Sequence, residues 1–120
     1  DSVSEGSFVN KTGTYPLALA AREAGVPFHV AALEDRFIPS AARGDVSRGR
    51  APEELVGRDD PDVPALNLNF EETPLALVTG LVTERGPLSA NEVPEPVGNN
   101  PISFALLQVL YPKHAAPDSP

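Results

Sequence analysis

Prolines and charges interrupt every apolar run of this sequence, and that punctuation restricts the chain to short elements joined by frequent turns. With 14 prolines among 120 residues, no stretch approaches the roughly eighteen consecutive apolar residues that a membrane-spanning helix needs. A soluble, cytoplasmic protein without membrane contact is therefore expected. The length suits one small domain. The chain opens at Asp1 with no methionine and no apolar signal run, which leads us to expect part of a longer protein.

Two ordered units lie between the breaks. In the first, Asn10 to Thr14 form a polar turn, and Pro16 suits the opening turn of a helix, where its missing N–H has no partner. The alanine- and leucine-rich stretch that follows predicts a helix over Tyr15 to Ala24, ended by Gly25. Val26 to Leu33 then reads as a short buried strand. Residues Glu34 to Asp62 are broken by Pro39, Gly44, Gly49, Pro52, Gly57 and Pro61, so loop is expected there, with one helical turn at Pro52 to Val56. In the second unit Val63 to Leu68 reads as a strand. Thr73 reads as the N-cap of a helix reaching Arg85, with Leu77, Val78, Leu81 and Val82 on one face and Gly86 as the stop. Alternating strands and helices predict an α/β domain, a partial parallel sheet with flanking helices.

Residues 1–86 are thus read as the domain and 87–120 as an extended, proline-rich tail. The tail carries a short apolar segment, Ile102 to Tyr111, helical or extended, that this domain or a partner subunit must cover.

A formal charge of -8 and only nine basic residues disfavour direct binding to nucleic-acid phosphates. The absence of cysteine excludes disulfides, thiolate metal sites and a thiol nucleophile within these residues. His29 and His114 have no second histidine at ligand spacing, so neither a metal nor another cofactor is expected. Arg43, Arg48, Arg50 and Arg58 could reach a phosphate across a closing loop, but a solvated loop face is the plainer reading.

Three segments carry a resemblance. Asn10-Lys11-Thr12-Gly13-Thr14-Tyr15, followed by LALAAREAGVPFHVAA, resembles the NKxGTY signature of the superfamily that joins methylthioribose-1-phosphate isomerase, ribose-1,5-bisphosphate isomerase and the regulatory subunits of initiation factor 2B. Asn67-Leu68-Asn69-Phe70-Glu71-Glu72-Thr73-Pro74, followed by LALVTGLVTERG, is similar to the family's NPxFDxTPxxLIxxIITExG segment, with Leu68 and Glu71 standing where the pattern has proline and aspartate. Ser47 to Leu55, SRGRAPEEL, resembles the charged segment between them.

What the resemblance implies is a C-terminal Rossmann-like domain, incomplete at its N-terminus, that binds a phosphorylated sugar or nucleotide. The phosphate would rest at the loop of Asn10, Lys11, Thr12 and Gly13. A helix start with exposed N–H groups, a nearby ammonium and a glycine that permits close approach all suit an anion. The same residues also make a plain turn with a helix cap. In the family's isomerases an aspartate shortly before the NKxGT loop works with a cysteine from an earlier segment, and Asp1 is the candidate for that acid here. Two functions stay open. One is an aldose–ketose isomerase acting on ribose-1,5-bisphosphate or methylthioribose-1-phosphate. The other is a non-catalytic regulatory relative that binds a nucleotide or sugar phosphate and acts through assembly. Either implies a homo-oligomer or paralogous subunits.

Overall fold

The computed structural model describes residues 2–43, 49–51, 53–56 and 62–99. Its first element is a hairpin of β1 (Ser2–Ser4) and β2 (Ser7–Lys11), paired antiparallel with Val3 opposite Phe8. Gly13 then turns the chain in the left-handed region, at φ 108°, where a side chain would be strained. Helix α1 (Thr14–Ala24) follows, and Gly25 closes it: the N–H of Val26 donates back to the Ala21 carbonyl at 2.8 Å. This matches the helix read from Pro16 and the alanine-rich run.

The strand expected within Val26 to Leu33 is present as β3 (His29–Ala31), and the expected helical turn as α2 (Glu53–Val56). Val63 to Leu68 is not a strand. Pro64 removes a backbone donor, no neighbouring strand pairs with the segment among the described residues, and Asn67 is tied sideways to Ala51 and Arg50 instead.

The helix expected from Thr73 to Arg85 is likewise absent. In its place are β4 (Phe70–Pro74), a 3-10 turn at Leu75–Leu77, β5 (Gly80–Thr83) and β6 (Gly86–Leu88). The alignment of Leu77, Val78, Leu81 and Val82 at helical spacing coexists with a two-residue period, and the second prevails. Leu81 is fully buried and Val82 turns outward, while Thr73, Val78, Thr79, Val82 and Thr83 are β-branched residues that favour the pleated surface. Gly86, at φ 119°, allows the tight turn from β5 to β6.

The extended tail expected from Pro87 holds only through Leu88, the end of β6. After β6 the chain makes a 3-10 turn at Ala90–Glu92 and the short helix α3 (Pro94–Asn99), whose prolines sit in its first turn where a missing N–H costs nothing. The backbone N–H of Ser89 donates to the Glu92 carboxylate at 2.6 Å, fixing the entry to that turn. The Ile102 to Tyr111 segment lies outside the described residues.

The strands form two three-stranded sheets, β1-β2-β4 and β3-β5-β6. Parallel pairing is present between β3 and β5, with Val30 opposite Leu81, and the other pairs are antiparallel. A single parallel bridge from Val3 to Phe37 links the first hairpin to the loop after β3. Between the sheets Val3, Phe8, Phe37, Leu75, Leu81, Val93 and Val97 make one core. The result is an α/β unit in which the carboxyl end of a parallel strand, β3, opens beside β2. No helix of the described residues is long and apolar enough to cross a membrane.

Candidate functional site

A cleft of about 220 Å³ lies where the end of β3 and the residues after it, Val30 to Leu33, face the β1–β2 hairpin. In open α/β sheets ligands collect at the carboxyl ends of parallel strands, because the loops there diverge and leave a crevice. The walls are mostly apolar, from Val3, Phe8, Val9 and Val30 to Leu33, and Ser2, Asn10 and Arg36 bring polar groups.

Strand alternation sorts the predicted loop residues. Asn10 shares a sheet face with Phe8, directly opposite Glu71 on β4, and lines the cleft. Lys11 therefore lies on the other face, across from Phe70, with its ammonium 5.3 Å from the centre of that ring. Thr12 is tied to the segment before β4. Its N–H donates to the Asn69 carbonyl at 3.0 Å and its hydroxyl to the Leu68 carbonyl at 2.5 Å. The N–H groups of Gly13 and Tyr15 both donate to one carboxylate oxygen of Glu71, each at 2.8 Å. The structure thus brings Asn10 to the cleft and uses Thr12 and Gly13 to fasten the loop to the segment before β4. Asp1 lies outside the described residues. Its sequence neighbour, Ser2, lines the cleft.

Arg36 is the functional candidate that the sequence reading passed over. It follows β3 by five positions, in a 3-10 turn (Glu34–Arg36), and its contact with the Asp35 carboxylate is loose, at 3.6 Å and well exposed. Such a pair contributes little and leaves the guanidinium available. Its position just beyond the end of the predicted strand was the signal that could have found it.

Of the two described loop arginines, Arg43 departs from a solvated face and Arg50, with 54% of its side chain exposed, keeps to it. Arg43 has a side chain only 9% exposed, paired with Glu72 at 2.8 Å and donating to the Ser7 hydroxyl and carbonyl. Arg50 grips Glu54 at 3.0 Å, one helical turn away. Its hydrogen bonds, and then that from Asn67, hold the Glu54 carboxyl below the ordinary glutamate range. Arg48 and Arg58 lie outside the described residues. Among the described residues no cluster of three histidine, aspartate or glutamate side chains could hold a metal ion.

The crevice sets an amide and a guanidinium beside apolar walls, in an α/β unit. The chain belongs to the Initiation factor 2 subunit family, whose model matches residues 2–90. It is 44% identical over 92 residues to the methylthioribose-1-phosphate isomerase of Nitratidesulfovibrio vulgaris, a match that covers 71% of this chain and 26% of that relative. The crystal structure of 5-methylthioribose 1-phosphate isomerase from Pyrococcus horikoshii superposes with a TM-score of 0.67 at 33% identity, over 83% of this chain and 31% of the other. The delta subunit of translation initiation factor eIF-2B from A. fulgidus also gives 0.67, at 29% identity over 82% of this chain and 32% of the other. The chain spans about a quarter of the length of the curated relatives it matches.

Proposed function

We propose that this chain supplies one wall of the substrate site of an aldose–ketose isomerase acting on a phosphorylated pentose, of the methylthioribose-1-phosphate or ribose-1,5-bisphosphate type. The observation that carries the reading is the convergence of Asn10 and Arg36 on the cleft at the end of β3. A planar guanidinium and a side-chain amide can together hold phosphate oxygens with charge-assisted hydrogen bonds, while the apolar wall accepts the carbon face of the sugar. Lys11, on the opposite sheet face, adds positive potential near the loop, and Thr12 and Gly13 keep the loop in place. The likeness to a methylthioribose-1-phosphate isomerase supports the same class of ligand.

Converting a 1-phosphorylated aldofuranose to its ketose breaks the C1–O4 ring bond, takes the hydrogen from C2 and places one on C1. O2 loses its hydroxyl proton as the C2 carbonyl forms, O4 gains one as the ring opens, and O1 keeps the phosphate throughout. An acid/base pair at the two carbons meets that need. Asp1, one residue before the cleft-lining Ser2, is the acid we assign from this chain. Its partner comes from elsewhere in the protein. The equal TM-score to an eIF-2B delta subunit, at 29% identity, favours a second reading, a regulatory subunit that uses the same cleft for a nucleotide or sugar phosphate and acts through assembly in the cytoplasm. Exposed Leu17, Leu19 and Val26, on and just after α1, fit packing against further subunits or against more of the same protein in either case.

Calorimetric titration of the intact protein with methylthioribose-1-phosphate and ribose-1,5-bisphosphate tests the proposal. Saturable binding of one sugar, weakened about tenfold or more by Arg36→Ala and by Asn10→Ala, is expected. If neither sugar binds a folded protein while a nucleotide does, the regulatory reading replaces it.

A further inference from the structure

The N–H groups of Gly13 and Tyr15 at the entry to α1 converge on a single oxygen of Glu71. N–H groups in the first turn have no partner within a helix and lie at the positive end of its dipole, so they seek an anion. Here the anion is the chain's own side chain. Glu71 is also the residue directly across the ladder from Asn10. On the same stretch Thr12 closes onto the carbonyls of Leu68 and Asn69, so the end of β2, the start of α1 and residues 68–71 form one fastened unit. The carboxylate belongs to the position where the family pattern read from the sequence has the shorter aspartate.

We propose that Glu71 is a positioning residue for the cleft. By taking the N–H groups at the start of α1 it fixes the exit of the chain from β2, and with it the direction in which Asn10 meets the ligand. Substrate oxygens are then read by side chains at the cleft, and the N–H groups of Gly13 and Tyr15 serve the scaffold. The affinity part of this inference rests on the sugar-phosphate reading above, and the conformational part does not.

The test compares wild type, Glu71→Ala and Glu71→Gln in the intact, isotope-labelled protein. Glutamine keeps an acceptor oxygen at the same reach without the charge. In Glu71→Ala the Gly13 and Tyr15 amides are expected to exchange with solvent about tenfold faster, with Leu81 and Val82 unchanged, and the Asn10 side-chain amide resonance to shift. In Glu71→Gln both effects are partly reversed. Affinity for methylthioribose-1-phosphate is expected to fall about tenfold in the alanine variant and to recover in the glutamine variant, which loss of stability alone would not produce. Unchanged exchange at Gly13 and Tyr15 overturns the proposal. So does faster exchange with an unmoved Asn10 resonance, since Glu71 is then a helix cap and nothing more. If the alanine variant unfolds, Glu71→Gln decides alone: rates at Gly13 and Tyr15 equal to wild type, with Asn10 unmoved, overturn the inference. A wild-type protein that binds neither sugar defeats the sugar-phosphate reading, while the exchange and resonance arms still judge Glu71.

Discussion

Two regions a few residues apart behave in opposite ways. From Thr12 to Tyr15 the Thr12 hydroxyl and the N–H groups of Thr12, Gly13 and Tyr15 are taken up by Leu68, Asn69 and Glu71. Around Asn10 and Arg36 the polar groups border open space, with apolar walls behind them. A motif that reads as one phosphate loop in the sequence is therefore divided by the period of the strand. Asn10 lines the cleft, Lys11 turns to the other sheet face over Phe70, and the residues beyond the strand end become fasteners. An anion-seeking helix start is here taken up by the fold's own Glu71, and in the proposed function recognition falls to side chains nearby.

This division can be broken from the fastened side first. Gly13→Val places a branched side chain at φ 108°, and should cost about 1–3 kcal/mol in urea unfolding. Thr12→Val removes the hydroxyl bond to Leu68 and should cost about 1 kcal/mol by the same measurement. From the open side, Arg36→Ala should leave unfolding within about 0.5 kcal/mol of wild type, because an exposed arginine with a loose partner contributes little to the fold. Its effect belongs in the titration with sugar phosphate. A stability loss at Arg36 equal to that at Gly13 would erase the contrast.

The smallest effect concerns Glu54, which lies outside both regions and serves as a reference. Its carboxyl is held below the ordinary range in the folded chain by Arg50 and Asn67. A lowered folded-state value means that its contribution is present above the unfolded value and is lost as pH falls through the folded one. Glu54→Gln should therefore alter stability slightly at neutral pH and not at all at strongly acid pH, as read from unfolding curves at both.

The first ordered unit was legible because its signals are local. Pro16, the alanine-rich run and Gly25 specify α1 whatever surrounds it, and Val30 within a short apolar run marks β3. The second unit was misread because its signals depend on neighbours. Phe70 to Pro74 becomes a strand through pairing with Ser7 to Lys11, some sixty residues earlier, and β5 exists only between β3 and β6. Leu81 and Val82 fit a helical face as well as a strand until those partners are present. The site divides in the same way. Asn10 to Gly13 stand out as a motif, whereas the reach of Glu71 and the placement of Arg36 come from the meeting of β2, β3 and β4. Arg43 looked like a loop cation because Glu72 and Ser7, its partners, are distant in sequence.

The measurement that tests the account most directly is resonance mapping of the intact, labelled protein as methylthioribose-1-phosphate is added. The largest movements are expected at the Asn10 side-chain amide and the Arg36 guanidinium, with the Gly13 and Tyr15 amides nearly still. Dominant movement of the Gly13 and Tyr15 amides, with Asn10 and Arg36 unmoved, would mean that the phosphate displaces Glu71 and sits at the start of α1, and would contradict the account.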